Sequence, residues 1–373
     1  MAVAFNDLRR GIGQAQPALE AAALRVLRSG WFVLGDALTQ FESTFAAYCG
    51  AADCVGMGNG TDAIELALRA LGVVAGDRVA CVANAGFYAS TAVLAIGAQP
   101  QFVDIDPATL LLDVGQAQEA VRTRPKALVV THLFGRLAPI EALLPLAMQF
   151  GVPVVEDCAQ AHGAERQGMR AGAFGAIGCF SFYPTKNLGA LGDGGACVTS
   201  DPSLAKRLRA LRQYGWAGKY RIETAGGRNS RLDELQAALL RVRLPQLDAA
   251  NGRRREIAAR YAARIRQPAV TLPRPAGTDD VVHLFVLRSG CRDRLAAHLR
   301  AHGIGCDVHY PVPDHRQPAY RERFASVALP QTERACAEVL SLPCFPELGD
   351  PEIDEVADVI NAFDPAATGS ARA

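Results

Sequence analysis

The chain is poor in lysine. Among 373 residues there are 39 Lys and Arg, yet the lysines are only Lys126, Lys186, Lys206 and Lys219. Chemistry that needs a primary amine has these to choose from. An excess of charge is also missing: 38 acidic residues leave a formal net charge of +1. Proteins that bind nucleic acid by neutralising phosphates carry a basic surplus, and no finger, RNA-binding or basic-zipper pattern is present, so no nucleic-acid partner is expected. The run Arg253-Arg254-Arg255 lies among acidic and apolar residues and reads as a solvated helix face. No stretch approaches the ~20 apolar residues of a membrane span, and the start MAVAFNDLRRGIGQ has no charged leader followed by an apolar run. No membrane partner is expected. The 10 cysteines form no CxxC pair. Cys49 and Cys54, the nearest two, have no companion ligands, which predicts buried thiols in a reducing cytoplasm and no metal site.

What is present is half hydrophobic residues and a chain long enough for two domains, or one large domain with a satellite. From Leu38 to about Ser200, apolar runs (RVACVA, PQFVDI, KALVVTH, PVVEDC, CFSF, GACVTS) alternate with helical patterns. This predicts an α/β fold with a mostly parallel sheet. Ligand sites in such sheets gather at the carboxyl ends of the strands. Residues 231–266 read as one long helical stretch that Pro245 should interrupt. A strand VVHLFVLR, a helix CRDRLAAHLRAHG, a short strand IGCDVH and a last helix PEIDEVADVINAF then predict a smaller α+β unit. The expected division is a large domain over 13–250 and a small one over 251–363. Residues 1–12 are placed beside the small domain, and 364–373 form a disordered tail.

Several short segments carry chemistry. In SFYPTKNLGALGDGGA, Lys186 sits just past a strand end in a turn bounded by glycines, where a buried amine could meet an aldehyde; alone, it would read as a surface lysine. In VVEDCAQAHGA a strand delivers Glu156 and Asp157 to its carboxyl end. A carboxylate there can pair with a protonated pyridine nitrogen, or simply cap a helix. Ala159 is small enough to lie under a ring, and Gln160 can reach a ring hydroxyl. GMGNGTDAIELALRA is neither GxGxxG nor a Walker loop, but its glycines lead into a helix with Thr61 and Asp62 in the first turn. That is a phosphate site or a capped helix end. In ANAGFYAS, Phe87 or Tyr88 could stack on a planar ring or belong to the core. Asn229 and Arg231 in GGRNSRLDELQAALL, and His309, Tyr310 and His315 in HYPVPDHRQPAY, could wall a polar pocket.

Taken in order, GNGTDA, EDCAQAHGA, SFYPTKNLG…GDGGA and NSRLDELQAA resemble the DegT/DnrJ/EryC1/StrS family of sugar aminotransferases over Phe5 to Phe363. The resemblance implies the fold-type I aminotransferase architecture, pyridoxal 5′-phosphate (PLP) as cofactor and a homodimer with shared active sites. It implies that Lys186 carries PLP as a Schiff base and Asp157 pairs with the ring nitrogen. Gln160 would contact the ring hydroxyl, Phe87 would stack on the ring above Ala159, and Gly60, Thr61, Asp62 and Ser181 would cradle the phosphate. Asn229 would reach it from the partner subunit. WFVLGDALTQFE, HLFVLR and HYPVPDHRQPAY resemble the branch that aminates carbon 3 of dTDP-linked 3-keto-6-deoxyhexoses. Tyr183 stands where many carbon-4 enzymes carry His, whereas Thr185 replaces a glycine of the carbon-3 branch. Ala83 and Gly86 also depart from the usual Pro and Thr or Ser. L-glutamate is the expected amino donor, and Tyr183, Lys219, Arg231, His309 and Tyr310 are the expected sugar-nucleotide contacts. The alternatives are transfer at carbon 4, PLP-dependent sugar dehydration (that branch has His in place of the lysine) and a non-catalytic sugar-nucleotide binder on the same fold.

Overall fold

The computed structural model describes residues 2–366. Residues 367–373, most of the expected tail, lie outside the described residues. Seven strands form the main sheet: β1 (Asp53–Met57), β2 (Arg78–Val82), β3 (Gln99–Val103), β4 (Ala127–Thr131), β5 (Val154–Asp157), β6 (Ile177–Ser181) and β7 (Gly195–Thr199). Their order is β1-β7-β6-β5-β4-β2-β3. Only β7 runs antiparallel to its neighbours, so the sheet is mostly parallel, as the alternation predicted. β1 itself has no counterpart among the predicted strands. β4 and β7 are buried at every position, which a sheet covered on both faces requires.

The helices of the large unit are α1 (Leu8–Ser29), α2 (Asp36–Cys49), α3 (Gly60–Ala70), α4 (Tyr88–Ala95), α5 (Val114–Arg122), α6 (Leu144–Phe150), α7 (Pro202–Leu211) and α8 (Glu234–Arg243). Strand alternation divides the core between them. Val79, Cys81, Val129 and Val155 pack toward Ile64, Leu66 and Leu68 of α3, with Leu208 of α7 in the same cluster. Ala80, Val82, Leu128, Val130 and Val154 pack on the opposite face, with Ala117 and Val121 of α5 and Ala147 of α6. A third cluster joins Phe41 and Phe45 of α2 to Phe180, Phe182 and Leu240.

The remaining helices are α9 (Leu247–Arg264), α10 (Arg292–Ala301), α11 (Pro330–Glu338) and α12 (Asp350–Asn361), with strands β8 (Phe285–Arg288) and β9 (Val339–Leu342). A separate cluster of Ile257, Tyr261, Leu287, Leu295, Leu340, Ile353 and Val356 joins α9, α10, α12 and both strands, whereas α11 packs through Ala335 into the cluster of α5 and α6. Val3 is buried in that cluster and bridges to Ile304. A 3₁₀ turn over Leu244–Gln246 interrupts the long helix at Pro245. Two readings need correction. IGCDVH is not a strand; it contributes only two isolated bridges, Ile304 to Val3 and Asp307 to Ser341. Arg254 is not on a solvated face: it is 5% exposed and donates to the carbonyls of His283 and Cys344. The helix turns its middle arginine inward because those carbonyls lie in irregular chain, without sheet partners.

Candidate active site

β5 settles which of its adjacent carboxylates faces the site, because side chains alternate across a strand. Glu156 is fully buried and saturated. Its oxygens accept from the N–H groups of Gly172 (2.9 Å), Phe174 (2.8 Å) and Gly175 (2.7 Å) and from His132 Nε2 (2.9 Å). His132 Nδ1 accepts from the Ala138 N–H at 3.0 Å, which places the ring proton on Nε2. His132, Glu156 and Cys158 come close enough to hold a metal, but these hydrogen bonds spend the lone pairs a metal would need. Asp157 points to the other face. One carboxylate oxygen accepts from the Ala159 N–H at 3.1 Å and the other faces Thr131 Oγ1 at 3.4 Å. Burial raises the Asp157 pKa; the Ala159 N–H, the charge of Lys186, His132 and Thr131 oppose that rise. The Ala159 bond serves a turn after β5, so the helix-cap reading of Asp157 does not hold.

Lys186 occupies the turn after β6. Its N–H donates to Tyr183 O at 2.8 Å, and the turn closes so tightly that a Cβ on Gly189 would lie 2.4 Å from the Pro184 carbonyl. Asn187 anchors the turn from behind. It donates to Asn251 Oδ1 (2.8 Å) and Val281 O (3.1 Å), and its own oxygen pairs with His283 Nδ1 (3.0 Å). Burial lowers the Lys186 amine to about 8, against the upward pull of Asp157. His162 and His283, facing the same charge, are pushed down, the former to about 3, again chiefly by burial. The lysine therefore sits among neutral rings with a single carboxylate for a partner.

The start of α3 forms a cradle. Asn59, not Thr61 or Asp62, caps the helix: its Oδ1 accepts from the Asp62 N–H at 2.8 Å. Helix geometry leaves the N–H groups of Gly60 and Thr61 without carbonyls in their own helix. Gly60 is required by close approach, since a Cβ there would stand 2.6 Å from that of Ser181. Arg228 pairs with Asp62 (2.6 Å) and Glu65 (3.0 Å) and Arg69 with Glu65 (2.9 Å), so two guanidiniums balance the two carboxylates that would repel an anion. Ser230 Oγ accepts from the Gly58 N–H at 3.0 Å. Neither Arg228 nor Ser230 stood out in the sequence.

Gln160 is already engaged: it accepts from the Phe134 N–H (2.6 Å) and donates to Tyr310 OH (3.1 Å). Tyr310 thus belongs to the Gln160 side of the site. Its ring lies over Gly86, where a Cβ would sit 2.8 Å away, which accounts for the absence of a larger residue at that position. Phe87 stacks on Tyr320 at 5.0 Å and 25°. His309 accepts from or donates to Ser341 Oγ (2.9 Å) and stacks on Phe5, and His315 is buried against Glu333 (2.8 Å). Tyr183 is 53% exposed, Asn229 and Lys219 are exposed, and Arg231 is half-buried. Among the described residues, no hydrogen bond joins Asn229, Lys219 or Arg231 to the Lys186–Asp157 group.

A lysine with a lowered pKa, a buried carboxylate beside it and an anion cradle at the carboxyl ends of parallel strands define a PLP-dependent aminotransferase site. The residues present fit that cofactor: the free N–H groups of Gly60 and Thr61 suit a phosphate, and Gly60 clears the space. The chain belongs to the DegT/DnrJ/EryC1/StrS aminotransferase family, whose profile matches residues 14–361. It is 46% identical over 364 residues to a dTDP-3-amino-3,4,6-trideoxy-alpha-D-glucose transaminase of Streptomyces venezuelae, covering 97% of this chain and 96% of that one. It is 43% identical over 364 residues to a dTDP-3-amino-3,6-dideoxy-alpha-D-galactopyranose transaminase of Aneurinibacillus thermoaerophilus, covering 97% and 99%. The crystal structure of S. venezuelae DesV in complex with a ketimine intermediate superposes with a TM-score of 0.93 at 45% identity, covering 97% of this chain and 98% of that one. The protein is a PLP-dependent sugar aminotransferase. Among the described residues no helix is long and apolar enough to cross a membrane.

Proposed function

We propose that the enzyme transfers an amino group from L-glutamate to carbon 3 of a dTDP-linked 3-keto-6-deoxyhexose, working as a cytoplasmic homodimer. One observation carries the reading: the Lys186 amine, lowered to about 8, faces the Asp157 carboxylate at the carboxyl end of the sheet. The carbon and the nucleotide rest on the two transaminases described above, both of which are named for 3-amino sugars. When bound, PLP supplies an electron sink that stabilises negative charge beside the imine nitrogen. The chain supplies the rest. Asp157 holds the proton on the ring nitrogen, and Gln160 orients the ring hydroxyl. Gly60, Thr61 and Ser181 would receive the phosphate, and Phe87 and Ala159 would cover the two faces; Asp62, expected in the cradle, is not a phosphate contact, because its N–H is spent on Asn59 and its carboxylate on Arg228. Lys186 Nζ, once free, takes and returns the proton at the reacting carbon.

The dimer reading rests on what is exposed. Trp31, Phe32, Tyr220 and Ile222 leave more than half of their surface uncovered, and Asn229 and Lys219 are exposed, with no hydrogen bond to the Lys186–Asp157 group among the described residues. Exposed aromatic area of that kind marks an interface. Asn229 then completes the partner's cradle, and Lys219, Arg231, Tyr183 and His309 line the sugar-nucleotide side. Free thiols throughout fit a reducing compartment.

Two experiments test this. Product analysis by NMR after incubation with a dTDP-3-keto sugar and L-glutamate should place nitrogen on carbon 3; nitrogen on carbon 4, or loss of a hydroxyl without nitrogen, would refute the assignment. Lys186→Ala and Asn229→Ala, each inactive alone, should regain activity when mixed, because one site of a mixed dimer is intact. No recovery, with dimers verified by sedimentation, would refute shared sites.

A further inference from the structure

The loop that carries Tyr310 also carries a buried acid. Asp314 is 1% exposed. Its backbone N–H donates to Ala83 O at 2.8 Å. One carboxylate oxygen accepts from the Phe87 N–H at 3.0 Å, and the other accepts from Ser90 Oγ at 2.6 Å. Phe87 stands in the left-handed region (φ 70°, ψ 4°), directly before α4, and no side chain caps that helix from its own N-cap position. A phenylalanine does not hold such a backbone by preference; surrounding structure has to impose it. Asp314 performs this, and Tyr320, from the same loop, stacks on the Phe87 ring. Among the described residues no ion pair reaches Asp314. The titratable groups facing it are the Cys81 and Cys336 thiols, which burial pushes up, and its neighbour His315 is bound to Glu333 together with Arg316. An acid buried without a cation is costly unless its bonds are useful.

We propose that Asp314 is a positioning residue for the cofactor: by fixing the Phe87 backbone and the Ser90 hydroxyl, it holds the Phe87 ring at the angle that covers one face of the pyridine. The inference rests on the reading of Phe87 as the ring's cover. It gives the 309–320 loop a role distinct from walling the sugar pocket. Through Tyr310 and Gln160 the loop bounds the hydroxyl edge of the ring, and through Asp314 and Phe87 it sets the stacking face. The acid acts on the cofactor only through Phe87, so its effect must vanish when the Phe87 ring is absent.

A double-mutant cycle on the full-length protein tests this, with two readouts: the PLP dissociation constant and the visible circular dichroism of the bound cofactor. Asp314→Asn keeps shape and the Ser90 contact but turns an amide toward the Phe87 N–H. It should weaken PLP binding on the order of tenfold, the effect of losing one hydrogen bond to a charged group, and should diminish the dichroic band. Ser90→Ala, a second variant with an independent risk of misfolding, should act in the same direction more weakly. Phe87→Ala should weaken binding at least as much as Asp314→Asn, and adding Asp314→Asn to Phe87→Ala should change neither readout further. If Asp314→Asn weakens binding equally with and without the Phe87 ring, its role is general stability and the proposal is overturned. It is also overturned if Asp314→Asn and Ser90→Ala, both folded by far-ultraviolet dichroism, bind PLP with unchanged affinity and dichroism. If instead Phe87→Ala itself leaves affinity unchanged, the stacking reading falls and this inference with it.

Discussion

Adjacent carboxylates at the end of β5 should respond to neutralisation in opposite ways. Glu156 takes four donors on two oxygens and is fully buried. In Glu156→Gln the amide oxygen serves one pair of donors while the amide nitrogen turns its own hydrogens toward the other. Two hydrogen bonds to a charged group are lost, worth about 1.5–3 kcal/mol each. Removing a buried charge returns part of its desolvation cost, so the lower end applies, about 3 kcal/mol. That is a large share of the ~5–15 kcal/mol typical of a folded domain. Asp157 differs because burial raises its pKa in the cofactor-free protein. A carboxyl group whose folded pKa lies above its unfolded value costs stability once the pH is high enough to ionise it. Asp157→Asn should therefore leave the cofactor-free protein at neutral pH as stable as the parent, or more so, while abolishing turnover. Urea unfolding of both cofactor-free variants, followed by far-ultraviolet dichroism, measures the first effect, and an amino-transfer assay of the PLP-loaded Asp157→Asn variant measures the second. The reasoning fails if Glu156→Gln unfolds at the parent's urea midpoint, or if Asp157→Asn loses comparable stability.

Other consequences are open to simpler tests. Reductive labelling of Lys186 by an aldehyde, read by peptide mass spectrometry on cofactor-free protein, should rise with pH through about 8, since only the free amine attacks. Asp157→Asn removes the group that pulls this value up and should move the midpoint lower; an unmoved midpoint would contradict the pairing. Gly86→Ala meets both the Tyr310 ring at 2.8 Å and a φ of +79°, and should cost about 1–3 kcal/mol in thermal unfolding. Adding Tyr310→Ala should return only part of that loss, because the backbone strain stays. Arg254→Met strips the His283 and Cys344 carbonyls of their donor and should cost about 2 kcal/mol, whereas an arginine on a solvated face would change stability by less than about 0.5 kcal/mol.

What was legible in the sequence was local. The inner main-sheet strands announce themselves because strands buried on both faces are mostly apolar, while the edge strand β3 (QPQFV), largely half-buried, shows only through Phe102 and Val103; Lys186, Asp157 and the Gly60 approach stand out because glycines and strand ends mark them. β1 escapes because ADCVGMG runs without a break into the glycine approach to α3. The burial of Arg254 is illegible for a different reason. Three consecutive arginines cannot share one side of a helix, and which of them turns inward depends on carbonyls 29 and 90 residues away. Asp314 is similar: its partners Phe87 and Ser90 lie 227 and 224 residues upstream, so nothing near it in sequence distinguishes it from an acid in a turn. Glu156 and Asp157 looked equivalent until the strand's alternation had a core on each side to refer to.

The scarcity of lysine acquires a physical meaning once the site is in view. A guanidinium stays protonated and does not condense with an aldehyde, so arginine can carry surface charge without competing for an aldehyde cofactor. Of the lysines, Lys126, Lys206 and Lys219 are exposed, whereas Lys186 is enclosed and burial lowers its amine. The surroundings keep it that way. His162, His283 and His309 are all pushed toward the neutral form, chiefly by burial, with the charge of Lys186 adding to the effect. A cation at any of these positions would lower the amine further but would also compete for Asp157. With neutral rings there, Lys186 has no cationic rival for Asp157; under the proposed function the same carboxylate would then pair with the pyridine nitrogen once the cofactor arrives.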